Sequence, residues 1–211
     1  MKVAVSFITS NYNESETIKK IELTDANYIH VDLMDGKFVE NKNYTLSEIT
    51  KLLSGVKKPL DVHLMVAEPL KYTEFYATLN TEYLTFHYEA VKDPILVIND
   101  IKEYGLKVGM SIKPGTSVRV IEEYLPLIDQ VLVMSVEPGK GGQPFIEEVI
   151  GKVQELDAIR KHHNCHYVIS VDGGVNNENI EMLKLNHVDL VVSGSYVCKS
   201  DDFQKQISSL R

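Results

Sequence analysis

Tryptophan is absent from this chain of 211 residues, and cysteine occurs only twice, at Cys165 and Cys198. Two cysteines so placed build neither the disulfide framework of a small secreted domain nor a metal knuckle. No apolar run is long enough to span a bilayer. The short apolar run after Met1-Lys2 is broken by Ser6 and Thr9, so no secretory leader is read there. The expectation is a cytoplasmic protein with no membrane partner. Basic residues are also in deficit: 22 Lys and Arg stand against 30 Asp and Glu, a formal net charge of -8, with no Lys/Arg stripe. That argues against a nucleic-acid partner. It leaves an anionic small molecule open, because backbone amides can hold phosphate on an acidic protein. No linker or low-complexity stretch divides the chain, and residues 1–211 read as one domain.

What is present is a rhythm. Short β-rich runs occur at Val3–Ile8, Tyr28–Asp32, Leu60–Met65, Tyr83–His87, Lys107–Ile112, Gln130–Ser135, Tyr167–Val171 and Leu190–Ser193. Segments with helical apolar spacing lie between them, such as Ile18/Ile21 and Ile49/Leu52/Leu53. Asp93-Pro94 reads as an N-cap with a first-turn proline, and Gly105 suits that helix's exit. The longest helix is predicted from Ile146 to about His162, with Val149, Ile150, Val153 and Leu156 on its face. Repeated strand–helix units predict an open doubly wound sheet or a closed (β/α)8 barrel, and eight of them favour the α/β barrel. In a barrel the C-terminal strand ends carry function.

Chemistry-bearing residues gather at those ends. His30-Val31-Asp32 and Asp61-Val62-His63 each place an imidazole and a carboxylate on one strand face, because strand side chains alternate. Asp172 ends the seventh strand run. Such groups on buried strands point to a divalent metal site or to acid–base chemistry. His30, Asp32, His63 and Asp172 together would make a first shell for one cation. Glycines follow the late strands in three turns: Pro138-Gly139-Lys140-Gly141-Gly142-Gln143, Asp172-Gly173-Gly174 and Ser193-Gly194-Ser195. Glycine lets backbone amides approach an anion closely, and barrels often bind phosphate after strands seven and eight. Three such turns at one end predict a phosphate cradle.

The segments His30 to Val39, Asp61 to Val66, Met134 to Phe145 and Val171 to Val175 resemble the ribulose-phosphate 3-epimerase family, and the resemblance runs from Ser6 to about Ser195. It implies an isomerase that inverts C3 of a ketose phosphate, chiefly D-ribulose 5-phosphate to D-xylulose 5-phosphate. It implies a divalent metal on His30, Asp32, His63 and Asp172, zinc or iron first, with cobalt or manganese as options. Asp32 and Asp172 would be the acid–base pair of a two-base proton transfer through an enediolate. Substrate contacts are implied for Ser6, His63, Met34, Met65, Met134, Gly139, Gly141, Gly142, Gly173, Gly174, Gly194 and Ser195. The methionines would cover the intermediate with polarisable, water-excluding sulfur. His87 and Glu89 would be supporting residues or barrel-mouth packing rather than ligands. A homo-oligomer is also implied.

The chain departs from the family pattern at Glu137 and Lys140, where Asn and Phe are more usual, and over Glu40 to Tyr44. These loops shape the sugar pocket, so a hexulose 6-phosphate of the D-allulose 6-phosphate type competes as substrate. A non-catalytic sugar-phosphate-binding barrel and a metal-dependent aldolase or lyase are the rival readings from other classes.

Overall fold

The computed structural model describes residues 1–211. Eight parallel strands close into a barrel in sequential order. They are β1 (Lys2–Ser6), β2 (Tyr28–Met34), β3 (Leu60–Met65), β4 (Thr81–His87), β5 (Lys107–Ile112), β6 (Gln130–Met134), β7 (Val168–Asp172) and β8 (Leu190–Ser193). The connections are α1 (Glu14–Glu22), α2 (Leu46–Leu53), α3 (Thr73–Ala77), α4 (Pro94–Glu103), a 3-10 segment (Val118–Leu127), α5 (Ile150–His163) and α6 (Ile180–Leu185). After β8 come α7 (Ser195–Cys198) and α8 (Phe203–Ser209). No helix is long and apolar enough to cross a membrane.

Local chemistry sets the helix starts. Asn13, Asp93 and Asp202 each accept a backbone N–H from the first turn that follows, and Thr45 with Glu48 closes a capping box at α2. Several boundaries differ from the sequence expectation: β4 begins at Thr81, β6 ends at Met134 and β7 runs one residue later than expected. β2 continues past Asp32 to Met34, whereas β1 stops at Ser6. The helix expected from Ile146 begins as a 3-10 turn at Glu147–Val149 and becomes α-helical at Ile150. Ile146 is extended there because its N–H donates 2.9 Å to Ser135 O, which ties it to the end of β6.

Alternation divides each strand between two cores. Outward residues such as Val5, Ile29, Val31, Val62, Leu84, Phe86, Val131 and Ile169 join the helices in a cluster of 46 buried residues. Inward residues fill the barrel. Its floor is apolar and aromatic, with Ala4, Tyr28, Tyr83 and Leu190. Above the floor the filling turns polar, with His30, Asp61, Thr85, Gln130 and Ser170 all fully buried. Most of this layer is paired, Asp61 with His30 and Gln130, and Gln130 with Thr85, while Ser170 Oγ has no partner. That pairing builds the site.

Candidate active site

The register between β2 and β3 sets His30 opposite Asp61, Asp32 opposite His63 and Met34 opposite Met65. The two motifs therefore meet as mirror partners, an imidazole facing a carboxylate twice in adjacent rungs. His30 Nδ1 donates to Asp61 Oδ2 at 2.8 Å, and Asp61 Oδ1 accepts from Gln130 Nε2 at 3.1 Å. His63 Nδ1 lies 3.1 Å from Asp32 Oδ1. Ser6 Oγ donates to Asp32 Oδ2 at 2.8 Å. Asp172 reaches in from β7, its Oδ2 3.8 Å from His30 Nε2 and 3.7 Å from His63 Nδ1.

His30, Asp32, His63 and Asp172 each turn one ligand atom inward, and these atoms all lie within 4.8 Å of one another. His30 Nε2 is buried with no hydrogen-bond partner, although Asp32 Oδ1 is only 3.3 Å away. Two imidazole nitrogens and two carboxylates converging on one point form the N/O donor set that a divalent cation takes, and a ligating His usually gives its other ring nitrogen to a carboxylate, as His30 does here. The cluster thus fits a metal on its own geometry.

Electrostatics separate the two aspartates. Burial opposes ionisation of Asp32, yet the facing His30 and His63 hold its carboxyl far below the usual range. Burial, and then the charge of Asp32, push Asp172 up to about 6, against the pull of the two imidazoles. Burial works against protonation of His30, but the carboxylates of Asp32 and Asp61 outweigh it and raise its pKa. Carboxyls pushed apart in this way can play opposite acid–base roles.

Above the cluster opens one cleft, and every expected substrate contact except His63 lines it. Ser6, Met34, Met65 and Met134 form its wall, and Gly139, Gly141, Gly142, Gly173, Gly174, Gly194 and Ser195 form its glycine-rich side. His63 lies fully buried beneath, with His30. Gly174 shows why no other residue fits: its φ is +64°, and a Cβ there would sit 2.7 Å from Phe145 N. The β6 loop is pinned from within, as Gln143 Nε2 donates to Glu137 O at 2.7 Å and to Lys140 O at 2.6 Å. Glu137 and Lys140 both line the cleft, at its exposed edge.

Several contributors escaped the sequence reading. Asp61 shares a face with His63 in the motif, but its service to His30 depends on strand register. Gln130 looks like an ordinary strand residue. Asn43, in the atypical loop after Val39, accepts from Met34 N at 2.9 Å and donates to Asp32 O at 2.7 Å. Asn41 donates to Gly139 O at 2.7 Å and so joins the β2 loop to the glycine turn. His87 and Glu89 lie beside the cluster: His87 Nε2 is 2.8 Å from His63 Nε2, and His87 Nδ1 is 3.2 Å from Glu89 Oε2.

Comparison with known proteins agrees with this geometry. Residues 2–198 match the family described as "Ribulose-phosphate 3 epimerase family". A protein of Mycobacterium bovis named ribulose-phosphate 3-epimerase is 40% identical over 186 residues, covering 88% of this chain and 81% of the relative. Proteins of the same name from Helicobacter pylori and Bacillus subtilis are each 37% identical, covering 100% of this chain and 97% and 98% of theirs. Among solved structures, a phosphoribosylanthranilate isomerase from Pyrococcus furiosus superposes with TM-score 0.65 at 17% identity, covering 100% of this chain and 96% of its own. A 3-hexulose-6-phosphate synthase from Salmonella typhimurium gives 0.66 at 18%, with coverage of 100% and 96%. Those two share the barrel and nothing more specific.

Proposed function

This chain belongs to the ribulose-phosphate 3-epimerase family and is a ketose-phosphate 3-epimerase, and from that premise we propose that it interconverts D-ribulose 5-phosphate and D-xylulose 5-phosphate with Asp32 and Asp172 as its two proton-transfer groups. The observation that carries this reading is the placement of two carboxyls at the floor of one cleft, on β2 and β7. Binding a sugar phosphate needs no such pair. Inverting a stereocentre does, because the proton must leave from one face and return to the other.

A divalent cation on His30 Nε2, Asp32, His63 Nδ1 and Asp172 would supply Lewis-acid stabilisation of the charge that develops on the ketose oxygens. The remaining work falls to side chains. Asp32, anionic and steadied by Ser6, takes the C3 proton in one direction of reaction. Asp172, entering the cleft from β7, delivers a proton to the opposite face. In the reverse direction the roles exchange. Met34, Met65 and Met134, all buried, keep water from the planar enediolate. The glycine turns hold the phosphate by backbone N–H groups, with Ser195 beside them. Zinc or iron suits the N/O donors best, and cobalt or manganese can share them. Free Cys165 and Cys198 accord with a reducing cytoplasm, and exposed Leu23 and Leu185 offer apolar surface to a homo-oligomer.

The test is Asp172→Asn. Loss of one acid–base partner should cut epimerisation by roughly 10²–10⁴-fold. Exchange of the C3 proton with deuterated solvent should survive from one epimer only, provided metal content matches the parent. Full epimerase activity in that variant would overturn the assignment. Assaying the metal-loaded parent on D-allulose 6-phosphate as well as the pentuloses decides substrate size; a preference for the hexulose would move the proposal to that substrate.

A further inference from the structure

We propose that Asn43 is a positioning residue for proton transfer: its side-chain amide clamps the end of β2 and so aims Asp32 at the substrate's C3. The proposal rests on the reading that Asp32 and Asp172 share the two proton transfers.

Unequal strand lengths create the need for a clamp. β2 runs on to Met34, but β1 ends at Ser6 opposite His30, so nothing in β1 pairs with Asp32 or Met34. The chain instead folds back on itself. Lys42 bridges to Asp35 in the antiparallel sense, and Gly36 N donates to Asn41 O at 3.1 Å. The return brings Asn43 beside the strand end, where its own N–H donates to Met34 O at 3.3 Å. Its side chain then reaches two residues of β2: Oδ1 accepts from Met34 N at 2.9 Å, and Nδ2 donates to Asp32 O at 2.7 Å. The amide cannot be turned over, because Met34 and Tyr44 present N–H groups to one end and Asp32 a carbonyl to the other. The residues that follow hold Asn43 in turn: the ring of Tyr44 lies 6.1 Å from that of buried Phe7, and Thr45 caps α2.

Asp32 is thereby held at two levels. Ser6 Oγ fixes the carboxylate, and Asn43 fixes the backbone that carries it. Asn41, in the same loop, works on another part of the cleft, since its Nδ2 holds Gly139 O in the glycine-rich turn. The two amides divide the loop's work: Asn43 governs the reacting carbon and Asn41 the anion. A displacement of about 1 Å at a reacting group can cost on the order of 10²-fold in rate. A loop that only lent stability would move both functions together.

The experiment runs the full-length, metal-loaded protein in deuterated solvent from each pentulose phosphate, with metal content matched between variants. It reads the ratio of solvent deuterium in the remaining substrate to product formed. That ratio belongs to the active molecules, so loss of folded protein leaves it unchanged. With Asp32 misplaced, the enediolate made through Asp172 waits for its second proton. Asp172, its side chain 16% exposed, meanwhile trades its proton for a solvent deuteron and returns that to the starting epimer. Asn43→Ala should therefore lower kcat roughly 10–100-fold and raise the ratio about tenfold or more, from one epimer only. Asn43→Asp, which keeps the acceptor for Met34 N but sets an oxygen against Asp32 O, should shift the ratio in the same direction. Asn41→Ala should raise KM roughly 2–10-fold and leave the ratio within about twofold of the parent. An unchanged ratio in Asn43→Ala overturns the proposal. So does a rise from both epimers, or an equal rise in Asn41→Ala, either of which would assign the effect to general loosening of the loop. A parent whose product carries no solvent deuterium at C3 would sink the two-aspartate reading, and the proposal with it.

Discussion

Asp61 offers the most demanding check on the polar layer of the barrel. Its carboxylate is fully buried and accepts from two donors, His30 Nδ1 at 2.8 Å and Gln130 Nε2 at 3.1 Å. Asp61→Asn can keep both contacts. The new amide oxygen stays toward His30, and its NH₂ meets Gln130, whose Oε1 has no partner and can be turned to accept. Only the charge assistance is lost, a difference of about 1 kcal/mol between a charged and a neutral hydrogen bond. For a chain of this length that lowers Tm by roughly 2–4 °C. Asp61→Ala orphans His30 Nδ1 at about 1–3 kcal/mol and costs about 1 kcal/mol more at Gln130 Nε2, which keeps only its 3.3 Å bond to Thr85 Oγ1, so Tm should fall by roughly 4–16 °C. Both variants remove the anion behind His30, the proposed metal ligand, so Co²⁺ affinity should drop roughly 10–100-fold in each. Thermal melts and chelator competition measure the two effects separately. The expected pattern is a stability gap between Asn and Ala without a matching gap in affinity. Equal destabilisation by the two substitutions would refute the hydrogen-bond accounting, and unchanged cation affinity in both would refute the role of Asp61 behind His30.

Gly174→Ala should raise KM for the ketose phosphate at least about tenfold: its Cβ would lie 2.7 Å from Phe145 N at φ +64°, a conformation costing roughly 1–2 kcal/mol for any L side chain. A KM unchanged in steady-state kinetics would show that the turn is no part of the cradle. Lys140→Ala, at the exposed cleft edge, should raise KM only about 2–5-fold and leave kcat alone, as expected for a screened charge acting equally on ground and transition states; a fall in kcat would place Lys140 nearer the reacting carbons. Burial resists ionisation of Glu89, but hydrogen bonds from His87, Lys113 N and Thr116 bring its pKa down to about 2. A carboxyl depressed in the fold contributes stability that is present above its unfolded pKa, near 4.3, and is lost as pH falls toward about 2. The Tm advantage of the parent over Glu89→Gln should therefore be widest above about pH 5 and close on acidification; a gap that does not vary with pH would falsify that account.

Much of this protein can be read from residue order alone. Strand and helix periods are local, so alternating Val31/Leu33 against His30/Asp32, or the cap Asp93 ahead of Pro94, announce their elements without help from distant chain. The convergence of His30, Asp32, His63 and Asp172 and the position of the glycine turns were legible for a related reason: in a (β/α)8 fold any residue at a C-terminal strand end is delivered to the same mouth. The tertiary structure decided the rest. Whether His30 meets Asp61, and Asp32 meets His63, depends on a strand register that a one-residue slip would abolish. Gln130, Asn41, Asn43, Lys113 and Thr116 act on the site from 9 to 98 positions away in sequence, through hydrogen bonds whose partners no local pattern specifies. The inequality of Asp32 and Asp172 is likewise invisible in a string of letters. Both are aspartates, and only the imidazoles beside one and the burial around the other set their acidities apart.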